Sequence, residues 1–251
     1  MRLLLTFLAC SLAALAQTEG PKLAGPPKPA AAAKGPVVPA PRWPDGRVNL
    51  GSSGAEKGYW EVRPGNRSSF PRPADVPFQP WARALSAYRA AATGLYPPLV
   101  NCKAASGPSF FNSPGFEIVD APDLKRVFIL NIAGAHSWRV IYTDGREHPS
   151  KDKLRPTYLG HSIGHWEGDT LVVDTIGFNE KQWLFSNYPT TEQLHLTEKF
   201  TRPNLTTLTY EITVDDPGAY TAPWSGGWTN TTWLKDAEMF EYICENALEV
   251  K

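Results

Sequence analysis

From Phe116 onward, short segments of alternating hydrophobic and polar residues recur along the chain, separated by compact turn signals. Alternation of this kind is typical of half-buried β-strands. The segments that show it are 116–119, 126–132, 137–143, 157–165, 170–177, 193–200, 206–214, 229–234 and 239–244. Eight or nine such strands predict a mainly β domain over 116–251. We expect an antiparallel up-and-down barrel of the lipocalin or calycin type with one flanking helix, because closure removes exposed strand edges. A two-sheet β-sandwich is the alternative.

The segment before these strands, 42–115, has turn signals and scattered aromatic residues but one clear element. Residues 80–92 (PWARALSAYRAAA) have a proline in the first turn and apolar residues at helical spacing, which predicts an α-helix. Trp81, Leu85 and Tyr88 share one stripe, and we expect that stripe to contact the sheet. The rest of 42–115 is predicted to be an irregular strap across the barrel.

The N-terminus has the pattern of an export signal. Residues 1–16 combine one early arginine, an apolar run and a small-x-small ending, which predicts a signal peptide cleaved before Gln17. A lipoprotein modification at Cys10 is the less favoured alternative. Residues 17–41 are rich in Pro, Ala, Lys and Gly and predict a disordered spacer. We therefore expect a periplasmic or extracellular protein with no membrane-spanning segment after cleavage.

Composition narrows the classes of partner. The chain has 25 basic and 25 acidic residues and a net charge of +0, which argues against nucleic acid as a partner. Nine Trp, nine Tyr and eleven Phe provide aromatic surface for a core or for a small-molecule pocket. Cys102 and Cys244 would remain after signal cleavage, and an even pair in an oxidising compartment predicts a disulfide. Two buried free thiols are the alternative, and the oligomeric state stays open.

His, Ser, Trp and Asp residues are concentrated in 160–178, GHSIGHWEGDTLVVDTIGF. The pattern of this segment predicts a β-hairpin. A two-residue turn at Glu167-Gly168 would pair His161 with Asp174 on one face, at the separation of a hydrogen-bonded dyad. Such a carboxylate would orient the imidazole for general acid–base catalysis. A three-residue turn would reverse the faces and place Trp166 on the side of Asp174. The sequence leaves this register open.

Further candidate ligand-binding residues lie on neighbouring segments: Arg139, Tyr142, Arg146, Trp166, His195 and Glu198. An arginine here would bind a carboxylate or another planar acceptor. His195 and Glu198 are three apart on one strand, so we expect them on opposite faces. A metal site could be built from His161, His165 and His195, but nothing beyond their spacing supports it. We expect neither a metal nor a cofactor. His148 is expected to be a packed loop residue.

The motif 160–178, together with IYTDGREHP, LHLTEKF, TVDDPGAYTAPW and EYICEN, resembles a large family of exported and mostly uncharacterised bacterial proteins. The resemblance covers 42–246 and implies a shared fold and a shared polar pocket, with no activity attached. Cys102 and Cys244 match cysteines of that family, which supports the disulfide. Family members have arginine where this chain has His165, so a shared role for His165 is not expected.

Two classes of function are consistent with these patterns. The first is an exported lipocalin-type protein that binds a small apolar, aromatic or sugar-like molecule. The second is a cofactor-independent lyase, isomerase or hydrolase with His161 and Asp174 as its catalytic dyad.

Overall fold

The computed structural model describes residues 37–62, 69–92, 98–111, 115–132, 137–185, 187–229 and 231–244. The predicted signal peptide and most of the predicted spacer lie outside these residues. In the described part of the chain, no helix is long and apolar enough to cross a membrane.

The described residues form a mainly β structure with one α-helix, α1 (Pro80–Ala91). The strands are β1 (Gly58–Val62), β2 (Phe116–Ala121), β3 (Arg126–Asn131), β4 (Trp138–Tyr142), β5 (His161–Glu167), β6 (Thr170–Ile176), β7 (His195–Asn204), β8 (Thr207–Asp215), β9 (Trp224–Trp228) and β10 (Thr231–Lys235). Short 3-10 helices lie at Pro98–Asn101, Gly107–Phe111 and Pro122–Leu124.

The strands form one sheet in the order β10-β1-β2-β3-β4-β5-β6-β7-β8-β9. The sheet curls until β10 approaches β8, where the Thr231 hydroxyl donates to the Leu208 carbonyl and accepts from the Leu208 N–H at 3.2 Å. The result is a nearly closed barrel, and the prediction of a mainly β barrel with a flanking helix is confirmed.

The barrel is not purely antiparallel, because β4 and β5 pair in parallel through Ile141 with Ser162 and Tyr142 with Ile163. The antiparallel pairing expected throughout the barrel is therefore wrong between β4 and β5. The long connection 143–160 instead brings the start of β5 beside the end of β4, with both strands running in the same direction. These are the two residue pairs that join β4 and β5, and the first three residues of β4 have no partner on β5.

The barrel interior is filled mainly by aromatic side chains. The ring of Phe111 lies 4.9 Å from Phe116, 5.6 Å from Phe200, 4.9 Å from Tyr210 and 5.9 Å from Trp228, between ring centroids. These buried rings contact one another and stabilise the barrel interior.

Two strands were not expected and one expected strand is absent. β1 lies within the predicted irregular strap and pairs along its whole length with β10, from Gly58 with Lys235 to Val62 with Thr231. β9 pairs with β8. The predicted strand 239–244 has no strand pairing.

Helix α1 matches the predicted bounds closely, but its buried face differs from the predicted one. Ala82 and Ser86 are buried, whereas Trp81 and Tyr88 are 46% and 63% exposed. Small residues allow the close approach, and Trp81 lies at the rim, where its indole N–H donates to the Gly218 carbonyl at 2.9 Å. The prediction that the stripe of Trp81, Leu85 and Tyr88 contacts the sheet is therefore wrong.

Cys102 and Cys244 lie at disulfide-bonding distance, with their Cα atoms 5.6 Å apart. The predicted pairing is confirmed. The bond joins the segment before β2 to the chain after β10 and encloses a sequence separation of 142 residues.

Candidate functional site

The β5–β6 hairpin turns at Gly168-Asp169, with Glu167 paired to Thr170. Gly168 has a φ of +60°, which suits the first position of a tight two-residue turn. The turn is one residue later than predicted, so Asp174 lies opposite Ile163 rather than His161. His161 and Asp174 still share a face, but it is the outer face of the barrel, since Ser162 and Thr175 are the buried residues.

On this outer face, three histidines and one carboxylate form a continuous hydrogen-bonded chain. Asp174 Oδ2 lies 2.6 Å from His195 Nε2, and Asp174 Oδ1 lies 2.7 Å from His148 Nε2. The other ring nitrogen of His148, Nδ1, lies 2.8 Å from Nδ1 of His161. The prediction of a direct hydrogen bond between His161 and Asp174 is therefore wrong, because the ring of His148 lies between them.

His148 is the functional candidate that the sequence did not indicate. It comes from the connection 143–160, and the expectation of a packed loop residue gave it no role. Its side chain is 15% exposed, and both of its ring nitrogens have partners. The only sequence signal was its position in the polar DGREHP segment.

Tyr142 and Arg146 complete one side of this group. The ring of Tyr142 stacks on His161, with centroids 5.4 Å apart and an interplanar angle of 21°. The guanidinium of Arg146 lies 4.0 Å from the centre of the Tyr142 ring and is also paired with Asp144. Arg146 therefore contributes positive charge near His161 while its hydrogen bonds are directed to Asp144.

The environment moves the pKa values of the two end histidines in opposite directions. Burial, with the nearby His148 and Arg146, lowers the pKa of His161 below its usual 6.5. The hydrogen bond to Asp174 raises the pKa of His195 above 6.5. The pKa of Asp174 is lowered, mainly by the hydrogen bond from His195 and further by the one from His148. These two shifts favour neutral His161 and protonated His195 over the same range of pH.

The hydrogen bonds also assign the tautomers. An ionised carboxylate only accepts, so His148 and His195 both donate through Nε2–H to Asp174. With Nε2–H donated to Asp174, Nδ1 of His148 can accept the Nδ1–H of His161. The lone pair of His161 is consequently on Nε2, which has no hydrogen-bond partner among the described residues. Opposing pKa shifts within one site are typical of acid–base pairs.

A cleft of about 240 Å³ opens beside His161. Its walls include Trp138, Arg139, Tyr142, Leu159 and His161, from β4 and from the chain that leads into β5. A small molecule in this cleft would contact the stacked side chains of Tyr142 and His161.

Arg139 and Glu198, both predicted ligand-binding residues, instead bind each other inside the barrel. Their side chains are 5% and 0% exposed. Arg139 Nη1 donates a hydrogen bond to Glu198 Oε1 at 3.0 Å, and Arg139 Nη2 donates a second one to Glu198 Oε2. Arg139 also donates to Ser162 at 3.0 Å and to Thr175 at 2.7 Å, and the Tyr210 hydroxyl donates to Glu198 at 2.9 Å. Burial acts to lower the pKa of Arg139, but the charge and hydrogen bonds of Glu198 outweigh it and raise that pKa.

The remaining candidates lie away from the histidine group. Trp166 is partly buried against the core, with the Arg47 guanidinium 5.2 Å from its ring. His165 is exposed and contacts Glu167 at 3.2 Å. His195 and Glu198 lie on opposite faces of β7, as their spacing predicts. No group of three or more His, Cys, Asp or Glu side chains in the described ranges has the arrangement of a metal centre.

Comparison with known proteins finds no match: no protein-family model, no curated protein and no solved structure is significantly similar to this chain. The resemblance to exported bacterial proteins therefore stays a prediction.

Proposed function

We propose that this protein is an exported lyase, isomerase or hydrolase that uses His161 as general base and His195 as general acid on a small molecule. The observation that carries the proposal is the hydrogen-bonded chain from His195 through Asp174 and His148 to His161. The hydrogen-bonded chain fixes the tautomers of His148 and His161, and it places the two proton-transfer groups, His161 and His195, on a common face.

Proton movement through this chain follows from the donor and acceptor roles. When His161 Nε2 takes a proton from the substrate, its Nδ1 proton can pass to Nδ1 of His148, which lies 2.8 Å away. The resulting positive charge is then next to the Asp174 carboxylate, 2.7 Å from His148. At the other end, protonated His195 has its Nδ1–H available to donate to a leaving group or a developing anion.

A binding protein without catalysis is the second candidate. The barrel fold is compatible with a lipocalin-like binding protein, and the cleft of about 240 Å³ is the observation that favours ligand binding. We place the ligand in that cleft rather than in the barrel interior, because aromatic rings and the Arg139–Glu198 pair fill the described interior. Export is supported by the disulfide of Cys102 with Cys244.

The test compares the wild type with His161→Gln and with His165→Gln as a matched control. His165 lies on the same strand and the same outer face, but it is outside the hydrogen-bonded chain. Each protein is incubated with a small-molecule extract of its host in heavy water, and mass spectrometry follows metabolites that disappear or gain deuterium. We expect turnover by the wild type and by His165→Gln, and a loss of 10²-fold or more in His161→Gln, as is usual for a general base. Retained turnover in His161→Gln refutes the assignment, and a ligand that binds without turnover identifies the binding protein.

A further inference from the structure

A second cavity, of about 420 Å³, lies on the outer face of β7, β8 and β9. Its polar lining consists of Ser69, Thr197, Lys199, Glu211, Thr213 and Ser225. Ser69 comes from the segment beside the edge strand β9, where its backbone N–H donates to the Gly227 carbonyl at 2.9 Å. Nothing in the acid–base proposal uses this groove.

The groove is continuous with the histidine group through strand pairing. Asp174 pairs with Thr197, Thr197 with Thr213, and Thr213 with Ser225. Directly paired residues point to the same face of a sheet, so these four residues form one row across the outer surface. Neighbouring strands are about 4.8 Å apart, so the row extends about 14 Å from Asp174 to Ser225. A ligand in the groove would therefore reach the acid–base group.

The lining indicates the chemistry of that ligand. Four of the six polar groups are hydroxyls, each of which both donates and accepts hydrogen bonds. The two charges, Lys199 and Glu211, are opposite in sign and lie opposite each other on β7 and β8, so the lining has no net charge. Lys199 Nζ also lies 3.9 Å from Glu167 Oε2. A groove with many hydroxyls and no net charge is complementary to an elongated neutral molecule that carries many hydroxyls.

We infer that this groove binds a neutral oligosaccharide and extends the acid–base site, so that one end of the sugar chain lies at Asp174 and its histidines. The inference rests on the proposed function in that it identifies the bound sugar as the substrate. The Thr197, Thr213 and Ser225 hydroxyls bind the sugar hydroxyls along the row, and Thr213 and Ser225, 2.9 Å apart, form its far end.

The experiment measures binding of cellotriose, maltotriose and chitotriose to the full chain by ligand-observed NMR and calorimetry. The double variant Thr213→Val/Ser225→Ala removes two hydroxyls with little change of shape. Thr209→Val is the control, since Thr209 is on the same face of β8 outside the groove and donates to the Thr201 carbonyl at 3.2 Å. We expect at least one trisaccharide to bind, with affinity at least tenfold weaker in the double variant and unchanged in Thr209→Val.

Absence of binding by all three sugars at millimolar concentration, or equal binding by the double variant, overturns the inference. His161→Gln separates this failure from that of the proposed function. Sugar binding that is kept in His161→Gln, with no turnover by any protein, leaves the groove assignment standing and refutes the acid–base proposal. Turnover of other metabolites without sugar binding does the reverse.

Discussion

Replacing Glu198 by glutamine tests whether the barrel interior is a dry structural network or a site open to ligand. The substitution keeps the shape of the side chain and removes its charge. Arg139, 5% exposed, then remains buried and charged without its carboxylate partner. Breaking a buried pair in this way destabilises a protein by about 3–5 kcal/mol, a large part of the usual total of about 5–15 kcal/mol.

Urea denaturation followed by the fluorescence of the nine tryptophans measures this loss. The control is Arg72→Gln, because the Arg72–Asp75 pair is 82% and 49% exposed, and water already solvates both charges, so its removal should leave the free energy of unfolding nearly unchanged. A loss in Glu198→Gln no larger than in the control would show that Arg139 is hydrated. That result would refute the dry interior and favour an interior ligand site.

A second variant keeps the test informative if Glu198→Gln does not fold. Arg139→Met with Glu198→Leu removes both charges, and Tyr210→Phe removes the hydroxyl that would lose its acceptor. Ser162 and Thr175 still hydrogen-bond to each other at 3.0 Å. Since well-packed apolar replacements of buried ion pairs are often neutral, we expect this triple variant within about 2 kcal/mol of the wild type.

Three further predictions concern the histidines and the disulfide. The rate should be bell-shaped in pH: it falls as pH drops through the lowered pKa of His161, which must be neutral, and as pH rises through the raised pKa of His195, which must be protonated. In Asp174→Asn, NMR titration should show the pKa of His195 falling toward 6.5, and an unchanged value would contradict its attribution to the Asp174 hydrogen bond. Replacing Cys102 and Cys244 by serine should lower the free energy of unfolding by about 4–5 kcal/mol in urea, since the bond closes a long loop. A loss below about 1 kcal/mol would show that this loop is already restrained without the bond.

The sequence predicted features that depend on local alternation better than those that depend on distant pairing. Strands β2 to β8 follow the alternating segments closely, because each strand needs one buried and one exposed face. β9 lacked that signal, since Gly226 and Gly227 interrupt the alternation; a Cβ on Gly226 would lie 2.3 Å from Phe70 Cδ1. β1 is ordered by its pairing with β10, far along the chain.

The candidate site shows the same division. Placing His161 and Asp174 on one face followed from the period of two along the strands. The path of the connection 143–160 determines which face of the sheet carries the site. The same path places His148 between His161 and Asp174. No local pattern contains that path.

The polar residues of the β5–β6 hairpin serve two sides of one sheet. Ser162 directly follows His161, and Thr175 directly follows Asp174, so each outward site residue has an inward neighbour that Arg139 binds. Arg139 thereby joins β4, β5 and β6 from inside, at the level where the outer side chains must meet within hydrogen-bonding distance. The density of polar residues that first indicated a site is thus partly the site and partly its buried support. Weakening the Arg139–Glu198 pair should therefore loosen the histidine chain on the opposite face.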